Sequence, residues 1–284
     1  MRTSPMEGTH RETAEFPVVQ RTGIRFFRKM ARIGVSFFSD VGDRAYFARD
    51  IARAFGTEAR TYIPLTAAQM RRIGLDSLPL TAIVAAFIGS VIALQTRYQL
   101  FPGVQLSVVG LISRQMIILE LGPLLTGLVL TGRVGARMTA EIGTMRVTEQ
   151  IDALETLSYD PVAYLIIPRL IAGTLMLPLL VIFADAVGVS MAFMTSVSAT
   201  DVTWAQFSEG MRLSYTFFQI AYSLIKATIF GTAIAFLCSY EGFVTDVGAE
   251  GVGRSTAKAV VITSVAILVL DALTASILAN QLQG

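Results

Sequence analysis

Twenty consecutive residues without a charged side chain, 77–96, limit what this chain can fold into. As an α-helix, a stretch of that length crosses a hydrocarbon layer of about 30 Å. Four more apolar stretches follow, most of them interrupted by one or two charges. The five predicted membrane-spanning helices cover about residues 77–97, 108–131, 161–197, 215–240 and 259–282. With 53% hydrophobic and 15% charged residues, the sequence predicts an all-α integral membrane protein whose five-span domain covers residues 76–284.

The chain before the first span is strongly basic. Residues 21–72 carry eleven Lys or Arg against four Asp or Glu, whereas acidic residues are in excess over 73–284. From Ile24 onward, apolar residues recur at helical spacing with basic residues between them. This pattern predicts N-terminal interfacial amphipathic helices over residues 21–75, with cations among anionic headgroups. A cytosolic helix packed on a partner is the alternative, and residues 1–20 are predicted to be a disordered cytoplasmic tail.

Basic residues are also distributed unevenly among the connections between spans. The connection 132–160 carries three arginines, whereas the connections around Pro102 and from Asp201 to Arg212 carry almost none. The positive-inside rule therefore places the N-terminus and the 132–160 connection in the cytoplasm. Five crossings then place the C-terminus on the opposite side of the membrane.

Six charged side chains fall inside the apolar stretches. Charges at membrane depth cost about 2.5–3.5 kcal/mol each, so they usually face the bundle interior and pair with one another. Three are basic and three are acidic, which permits complete neutralisation. They are Arg114, Glu120, Arg169, Asp185, Lys226 and Asp271.

Two of these charges lie near mid-depth of consecutive antiparallel spans, so we predict an intramembrane ion pair between Lys226 and Asp271. Such a pair either fixes helix packing or belongs to a proton or ion relay, and both interpretations stay open. Glu120 precedes Leu-Gly-Pro, where a distorted helix can open to a cavity. Arg169 follows Pro168 near the cytoplasmic end, where snorkelling to the interface accounts for its charge.

The charged connection contains a second amphipathic pattern. Val147, Ile151 and Leu154 share one helical face, which predicts a short cytoplasmic helix over 147–157. Acidic and hydroxyl side chains share another face, namely Glu149, Asp152 and Thr156, with Glu155 beside them. A short cytoplasmic helix between two spans is typical of proteins that receive motion from a separate ATPase. A merely solvated acidic face is the alternative.

Several kinds of chemistry are excluded by absent residues. No Gly-x-x-x-x-Gly-Lys-Ser/Thr loop occurs, so ATP hydrolysis by a P-loop mechanism requires another subunit. A single cysteine, Cys238, and a single histidine, His10, cannot form an internal Cys/His zinc site and leave little for a catalytic triad. We therefore predict that the chain is not an enzyme and holds no cofactor.

Four motifs and several shorter matches carry a family resemblance. The motifs are ELGP at 120–123, GRVGA at 132–136, AEIGTM at 140–145 and TEQIDAL at 148–154, followed by Asp160-Pro161. In this order and spacing the chain resembles the MlaE/YrbE permeases of bacterial ABC systems that act with MCE-domain proteins on lipids, over roughly residues 64–282. It departs from them at Leu119, where members often carry arginine.

The resemblance implies a homodimer in the bacterial inner membrane, with a lipid cavity at the dimer interface. It also implies a cytoplasmic ABC ATPase that uses the ATP, a periplasmic ring of MCE-domain protein, phospholipid as the cargo and no nucleic acid. The N-terminus would be cytoplasmic and the C-terminus periplasmic. The charged segment 132–160 would then be the coupling segment.

If lipid is the cargo, the site needs an apolar cavity with few polar groups, and we assign residue roles on that hypothesis. Substrate-binding candidates are Phe87, Ile88, Val91, Leu94, Gln95, Leu119 and Glu120. ATPase-coupling candidates are Glu141, Met145, Glu149, Asp152 and Glu155. A competing hypothesis is an ion-coupled secondary transporter that uses Glu120, Asp185 and Asp271, although the spans show no convincing inverted repeat. A membrane-embedded enzyme would need a nucleophile with a base, or a metal cluster, and a scaffold that only anchors further subunits would hold no lipid.

Overall fold

The computed structural model describes residues 41–55, 62–246 and 248–278, and its elements there are helices. The predicted tail at 1–20 lies outside these residues, and so do residues 21–40 and 56–61 of the predicted interfacial segment 21–75. Of that segment, residues 41–54 form helix α1. Contacts divide the chain between Arg49 and Asp50, and the features below belong to the larger unit, residues 50–284.

Five helical stretches are long and apolar enough to cross a membrane, as the sequence predicts: Ile63–Gln99, Ser107–Val147, Val162–Ala199, Phe217–Phe243 and Ala249–Leu278. The first contains α2 (Ile63–Ile73) and α3 (Leu78–Gln99), and the second contains α4 (Ser107–Gln115), α5 (Gly122–Leu130) and α6 (Ala136–Val147). A short helix α7 (Gln150–Thr156) leads to α8 (Ile167–Ala199). The remaining helices are α9 (Trp204–Arg212), α10 (Phe217–Phe243) and α11 (Ala249–Leu278).

Most of these helices extend beyond the apolar stretches that predict them. The second stretch has 41 residues, so residues 132–147 continue its helix instead of forming a separate connection. The fifth begins at Ala249, ten residues before the apolar run. At 1.5 Å per residue, the 33 residues of α8 span about 50 Å, more than the ~30 Å of a hydrocarbon core. Helix α8 is therefore longer than the thickness of a hydrocarbon core requires.

Helix α8 lies at the centre of the bundle and packs against α3 and α10. Close approach depends on glycine at both contacts. A Cβ atom on Gly89 would collide with the carbonyl oxygen of Gly188, and a Cβ on Gly231 would collide with that of Gly173. In a membrane, where no hydrophobic effect drives helices together, such close backbone packing is a main source of association.

Three π-helical segments interrupt the spans: Met116–Leu121, Thr131–Gly135 and Val162–Ile166. The first and third come just before Pro123 and Pro168. Proline has no N–H to give to the carbonyl four residues earlier and its ring crowds that carbonyl, so the helix widens there. The first π segment contains Glu120, and its position determines where that side chain points.

Helix α9 is amphipathic and lies against α4. Its start is fixed by a capping box in which the Thr203 hydroxyl and the Gln206 side chain satisfy each other's backbone N–H groups. Cβ atoms on Gly110 and Gly210 would collide with the carbonyl oxygens of Phe207 and Ser107, so the two helices touch backbone to backbone.

Candidate functional site

A charged triad joins three spans inside the bundle. The Lys226 ammonium on α10 lies 2.8 Å from Glu120 Oε2 in the first π segment and 2.6 Å from Asp271 Oδ1 on α11. The Lys226 side chain is fully buried and that of Asp271 is 11% exposed, whereas the Glu120 side chain is 40% exposed. The two residues predicted to pair do meet, and Glu120, predicted as a headgroup ligand, joins them.

The first π segment also supplies a backbone acceptor to the triad. Pro123 cannot donate to the carbonyl of Leu119, four residues before it. Lys226 Nζ fills this position and donates to Leu119 O at 3.3 Å. The ammonium also lies 5.2 Å from the centre of the Tyr222 ring, within the range of a cation–π interaction. Lysine thus neutralises one of the two acidic charges and also replaces the backbone hydrogen bond that proline removes.

The charge of the triad is unbalanced. Two carboxylates share one ammonium, so the cluster carries a net charge of −1 when both acids are ionised. Because Glu120 is the exposed member, this excess negative charge faces outward from the chain. The arrangement can hold a proton or a cationic group of a ligand at Glu120 without breaking the Lys226–Asp271 contact.

Complete pairing of the six intramembrane charges, which the sequence permits, does not occur. Arg114 is 2% exposed and donates to backbone carbonyls, those of Met211 at 2.5 Å and Leu213 at 3.1 Å. Asp185 Oδ2 accepts a hydrogen bond from Ser223 at 3.3 Å, and Asp185 Oδ1 has no hydrogen-bond partner in the described chain. Backbone carbonyls therefore bind Arg114, and a hydroxyl group binds Asp185, although the sequence permits these charged side chains to pair with one another.

The snorkelling interpretation of Arg169 is wrong. Its side chain is 5% exposed, and its guanidinium donates to Leu165 O at 2.6 Å and lies 3.5 Å from Glu141 Oε2. Glu141 also accepts from Arg137 at 2.9 Å and lies 3.7 Å from Arg72. Arg169 is therefore neutralised by a carboxylate inside the protein and does not depend on reaching the membrane interface.

Glu141 therefore lies in an ion cluster with arginines of three helical segments. Its side chain is 28% exposed, which leaves little of it for a second protein. Met145 is half-buried and lines a groove of about 290 Å³ with Ile151 and Leu154 of α7. Both candidates therefore lie on α6 and not on α7, and of the two only Met145 lines a groove with α7.

The predicted helix at 147–157 is shorter than expected. It breaks after α6, because Glu149 adopts a left-handed conformation with φ of 59°, and α7 begins at Gln150. Ile151 is fully buried and anchors α7 to the bundle, while Glu149 and Glu155 are exposed. Asp152 is also exposed, and its Oδ1 lies 2.9 Å from Arg146. Three of the predicted coupling residues thus present exposed carboxylates on α7 or directly before it.

The substrate-binding candidates on α3 divide between two faces. Phe87 is 70% exposed, Val91 is 55% exposed and Gln95 is also exposed, so these three form an outward stripe at spacing i, i+4, i+8. Leu94 is half-buried beside them. Ile88 instead packs inward against the core formed by α3, α4, α8 and α9, so it belongs to the bundle interior. Leu119 and Glu120 are partly exposed on the neighbouring span.

A charged contact that sequence reasoning missed lies at one end of the bundle. Arg97 binds both carboxylate oxygens of Asp201, at 2.5 and 2.6 Å, and thereby ties α3 to the turn between α8 and α9. This guanidinium holds the pKa of Asp201 below its usual value. The two residues are more than a hundred positions apart and follow no periodicity, so only their shared position at the ends of spans hinted at the contact.

Comparison with known proteins adds independent evidence. The family described as Permease MlaE matches residues 66–277, from the first span to the fifth. The intermembrane phospholipid transport system permease protein MlaE of Haemophilus influenzae is 31% identical over 249 residues, covering 87% of this chain and 95% of that protein. A Rickettsia prowazekii protein named as a probable ABC transporter permease is 41% identical over 218 residues, or 73% of this chain and 80% of that protein. An Arabidopsis thaliana chloroplast protein, TRIGALACTOSYLDIACYLGLYCEROL 1, is 33% identical over 207 residues, or 72% of this chain and 59% of that protein. This multi-pass membrane protein therefore belongs to the MlaE permease family of ABC transporters.

Proposed function

We propose that this chain is the membrane subunit of a transporter that moves phospholipid between the bacterial inner membrane and a periplasmic MCE-domain protein. Family membership supports this function, and so does the name of the Haemophilus relative. The observation that carries it is the triad, whose excess negative charge is exposed at Glu120 in otherwise apolar surroundings. A lipid cargo requires this combination of an apolar wall and few polar anchors.

In this proposal the exposed stripe of α3 and the exposed side of Glu120 face the lipid. Phe87 and Val91 contact acyl chains, and Gln95 and Glu120 contact the headgroup. Two copies of the chain enclose the cavity in a homodimer. The stripe is exposed in a single chain because the second copy would cover it. The net charge of −1 at the triad favours a headgroup that carries an ammonium.

Lipid transfer from proteoliposomes tests this role. The complete complex, purified with its ATPase and MCE-domain partners, would be reconstituted with fluorescent phosphatidylethanolamine and supplied with ATP. We expect Glu120→Lys to reduce ATP-dependent transfer at least tenfold, because it replaces the exposed negative charge by a positive one. The matched control is Glu250→Lys, since the Glu250 side chain is 89% exposed and its partner Arg254 lies on the same helix. Normal transfer by Glu120→Lys would contradict the proposed headgroup contact.

We also propose that α7 couples the chain to a cytoplasmic ABC ATPase, which supplies the ATP hydrolysis that this chain lacks. Support comes from the anchored Ile151 beneath an outer surface formed by Glu149, Asp152 and Glu155. Co-purification of the ATPase from the native operon tests it, with Glu149→Lys plus Asp152→Lys as the variant. Glu209→Lys, an exposed acid of α9 at the other end of the bundle, is the control. Equal recovery of the ATPase with the α7 variant and with the control would contradict a contact between α7 and the ATPase.

A second candidate function, ion-coupled transport, is favoured by one observation. Asp185 lies in the third span with one carboxylate oxygen unpaired and no basic side chain of the described residues in contact. The two candidates differ in their energy source. An imposed proton gradient, without ATP or an ATPase subunit, would drive transfer by this candidate, and Asp185→Asn would abolish it. Transfer that requires ATP and survives Asp185→Asn would reject it.

A further inference from the structure

A groove at the α9 end of the bundle has no part in the proposed function. It measures about 580 Å³ and lies between α8, α9 and the chain that follows α9. None of the triad residues lines it. Its walls come from Val189, Ser190 and Phe193 of α8, from Trp204, Phe207, Ser208, Met211 and Arg212 of α9, and from Tyr215.

The base of the groove is rigid because aromatic rings and buried helix contacts fix it. Phe207 is 2% exposed, and its ring centre lies 5.5 Å from that of Phe193. Phe193 in turn packs edge-on against Trp204, with ring centres 4.7 Å apart. The glycine contacts between α4 and α9 hold this arrangement in place.

The polar end of the groove is held by a buried cation. Arg114 donates to the carbonyls of Met211 and Leu213, and its guanidinium lies 5.4 Å from the centre of the Tyr215 ring. This fixes the turn on which the rim residues Arg212 and Tyr215 stand. Both are exposed, and Arg212 forms no salt bridge within residues 41–55, 62–246 and 248–278. The groove therefore has an apolar length and one free positive charge at its end.

We propose that this groove binds one phospholipid molecule of the leaflet at the α9 end, with an acyl chain along Phe193 and Met211 and the phosphate at Arg212. The volume is within the ~300–1,000 Å³ of ordinary ligand sites. Exposed Trp204 (66%) and Tyr215 (49%) beside the opening match the aromatic residues that lie at headgroup level in membranes. Lipid tails are the neighbours that an apolar surface in a bilayer meets, and the unpaired guanidinium complements a phosphodiester.

This site is separate from the transport path. A molecule bound here lies against the outer side of α8, where it would hold α9 and its turn in place and not enter the path proposed for the cargo. Its occupancy is therefore measurable without ATP, an ATPase or an MCE-domain protein. Loss of transport and loss of this binding are distinguishable results.

Photocrosslinking in nanodiscs tests the proposal. The full-length chain would be placed in phosphatidylethanolamine and phosphatidylglycerol bilayers that contain a phospholipid with a diazirine near the end of one acyl chain. After irradiation, mass spectrometry would measure labelling of peptides containing Phe193 or Met211 relative to a peptide containing Leu175. Leu175 is the reference because it is 51% exposed on α8 and does not line the groove. We expect at least fivefold excess labelling of the groove peptides.

Two variants test the phosphate contact and the acyl-chain contact separately. Arg212→Ala should lower the excess roughly fivefold, the factor that corresponds to the ~1 kcal/mol of attraction between one basic residue and anionic lipid. Arg254→Ala, also an exposed arginine, is the control and should leave the excess unchanged. Ser190→Trp places a large ring in the groove and should remove the excess. Each of these three results supports the site.

Three results would overturn it. Groove labelling equal to that of Leu175 would mean that ordinary bilayer lipid passes over the surface without binding. Equal labelling of the groove peptides in Arg212→Ala and Arg254→Ala would show that Arg212 does not bind the phosphate. A photoreactive amino acid at position 190 that crosslinks in native membranes to a polypeptide, whether a partner's helix or a second copy of this chain, would show that a protein and not a lipid covers the groove.

Discussion

Removing the ammonium from the triad, with Lys226→Met, should destabilise the protein by about 3–4 kcal/mol. The estimate is the sum of two contributions. Asp271 is 11% exposed and would be left as an unpaired acid at membrane depth, which costs about 2.5–3.5 kcal/mol. Glu120 is 40% exposed, so its lost contact adds at most about 1 kcal/mol after solvent screening. The total agrees with the ~3–5 kcal/mol measured when one partner of a buried pair is removed.

Thermal denaturation in detergent, followed by the helical circular dichroism signal, measures this effect. A loss of 3–4 kcal/mol corresponds to a Tm lower by about 10 °C in a chain of this size. The matched control is Arg254→Met, which removes an exposed arginine from an exposed pair and should change stability by no more than about 0.5 kcal/mol.

A neutral triple variant identifies the cause. Lys226→Met combined with Glu120→Gln and Asp271→Leu leaves no charge unpaired, and replacing a whole buried charge cluster by neutral groups is often without cost. We expect its Tm to recover most of the loss. The reasoning is refuted if Lys226→Met has the same Tm as the Arg254→Met control. It is also refuted if the triple variant is no more stable than Lys226→Met, since the loss would then come from packing and not from charge.

Two further predictions concern other contacts. Gly89→Val should destabilise the protein by about 1–3 kcal/mol, because its Cβ would collide with the Gly188 backbone at the α3–α8 contact. Gly253→Ala is the control and should not destabilise it, because there is open space around Gly253. The Tm values of the two variants test this prediction. Because Arg97 depresses the pKa of Asp201, their contact is complete above the usual Asp pKa of about 4 and is lost as pH falls through the depressed value. The protection factors of the Thr200 and Val202 amides, which correct exchange for its intrinsic pH dependence, should therefore fall at low pH. In Asp201→Asn they should be low at every pH, and unchanged protection at low pH in wild type would contradict this.

The five spans were predictable because each needs only length and apolarity, which are properties of consecutive residues. The meeting of Lys226 and Asp271 was predictable for a similar reason: consecutive antiparallel helices bring equal depths together. Glu120 could not be added to them from spacing. The direction of the Glu120 side chain depends on the π turn before Pro123. A periodicity of 3.6 residues per turn, which assumes a regular α-helix, therefore gives the wrong direction for it.

Partners that are backbone atoms were also beyond prediction. Arg114 binds the carbonyls of Met211 and Leu213, and every residue has a carbonyl, so nothing in the sequence distinguishes these two. Glu149 interrupts the helix predicted over 147–157 because it adopts a left-handed conformation, which sequence patterns associate with glycine or asparagine. The groove beside α9 was missed because it depends on where a short amphipathic helix packs, and its apolar face alone does not specify a neighbour.

The π segment Met116–Leu121 has a consequence for how this chain tolerates changes in length. A π turn holds one residue more than the α-helical turn it replaces, so deleting a single residue there would leave a continuous α-helix. Because the π turn accommodates its extra residue within one turn, the two halves of the span would keep nearly the same rotation about the helix axis. A deletion in a regular α-helical part of the same span would instead rotate everything beyond it by about 100° and move either Arg114 or Gly127 to a different neighbour. The π segment is therefore the place in this span where the loss of one residue leaves the directions of the flanking side chains unchanged.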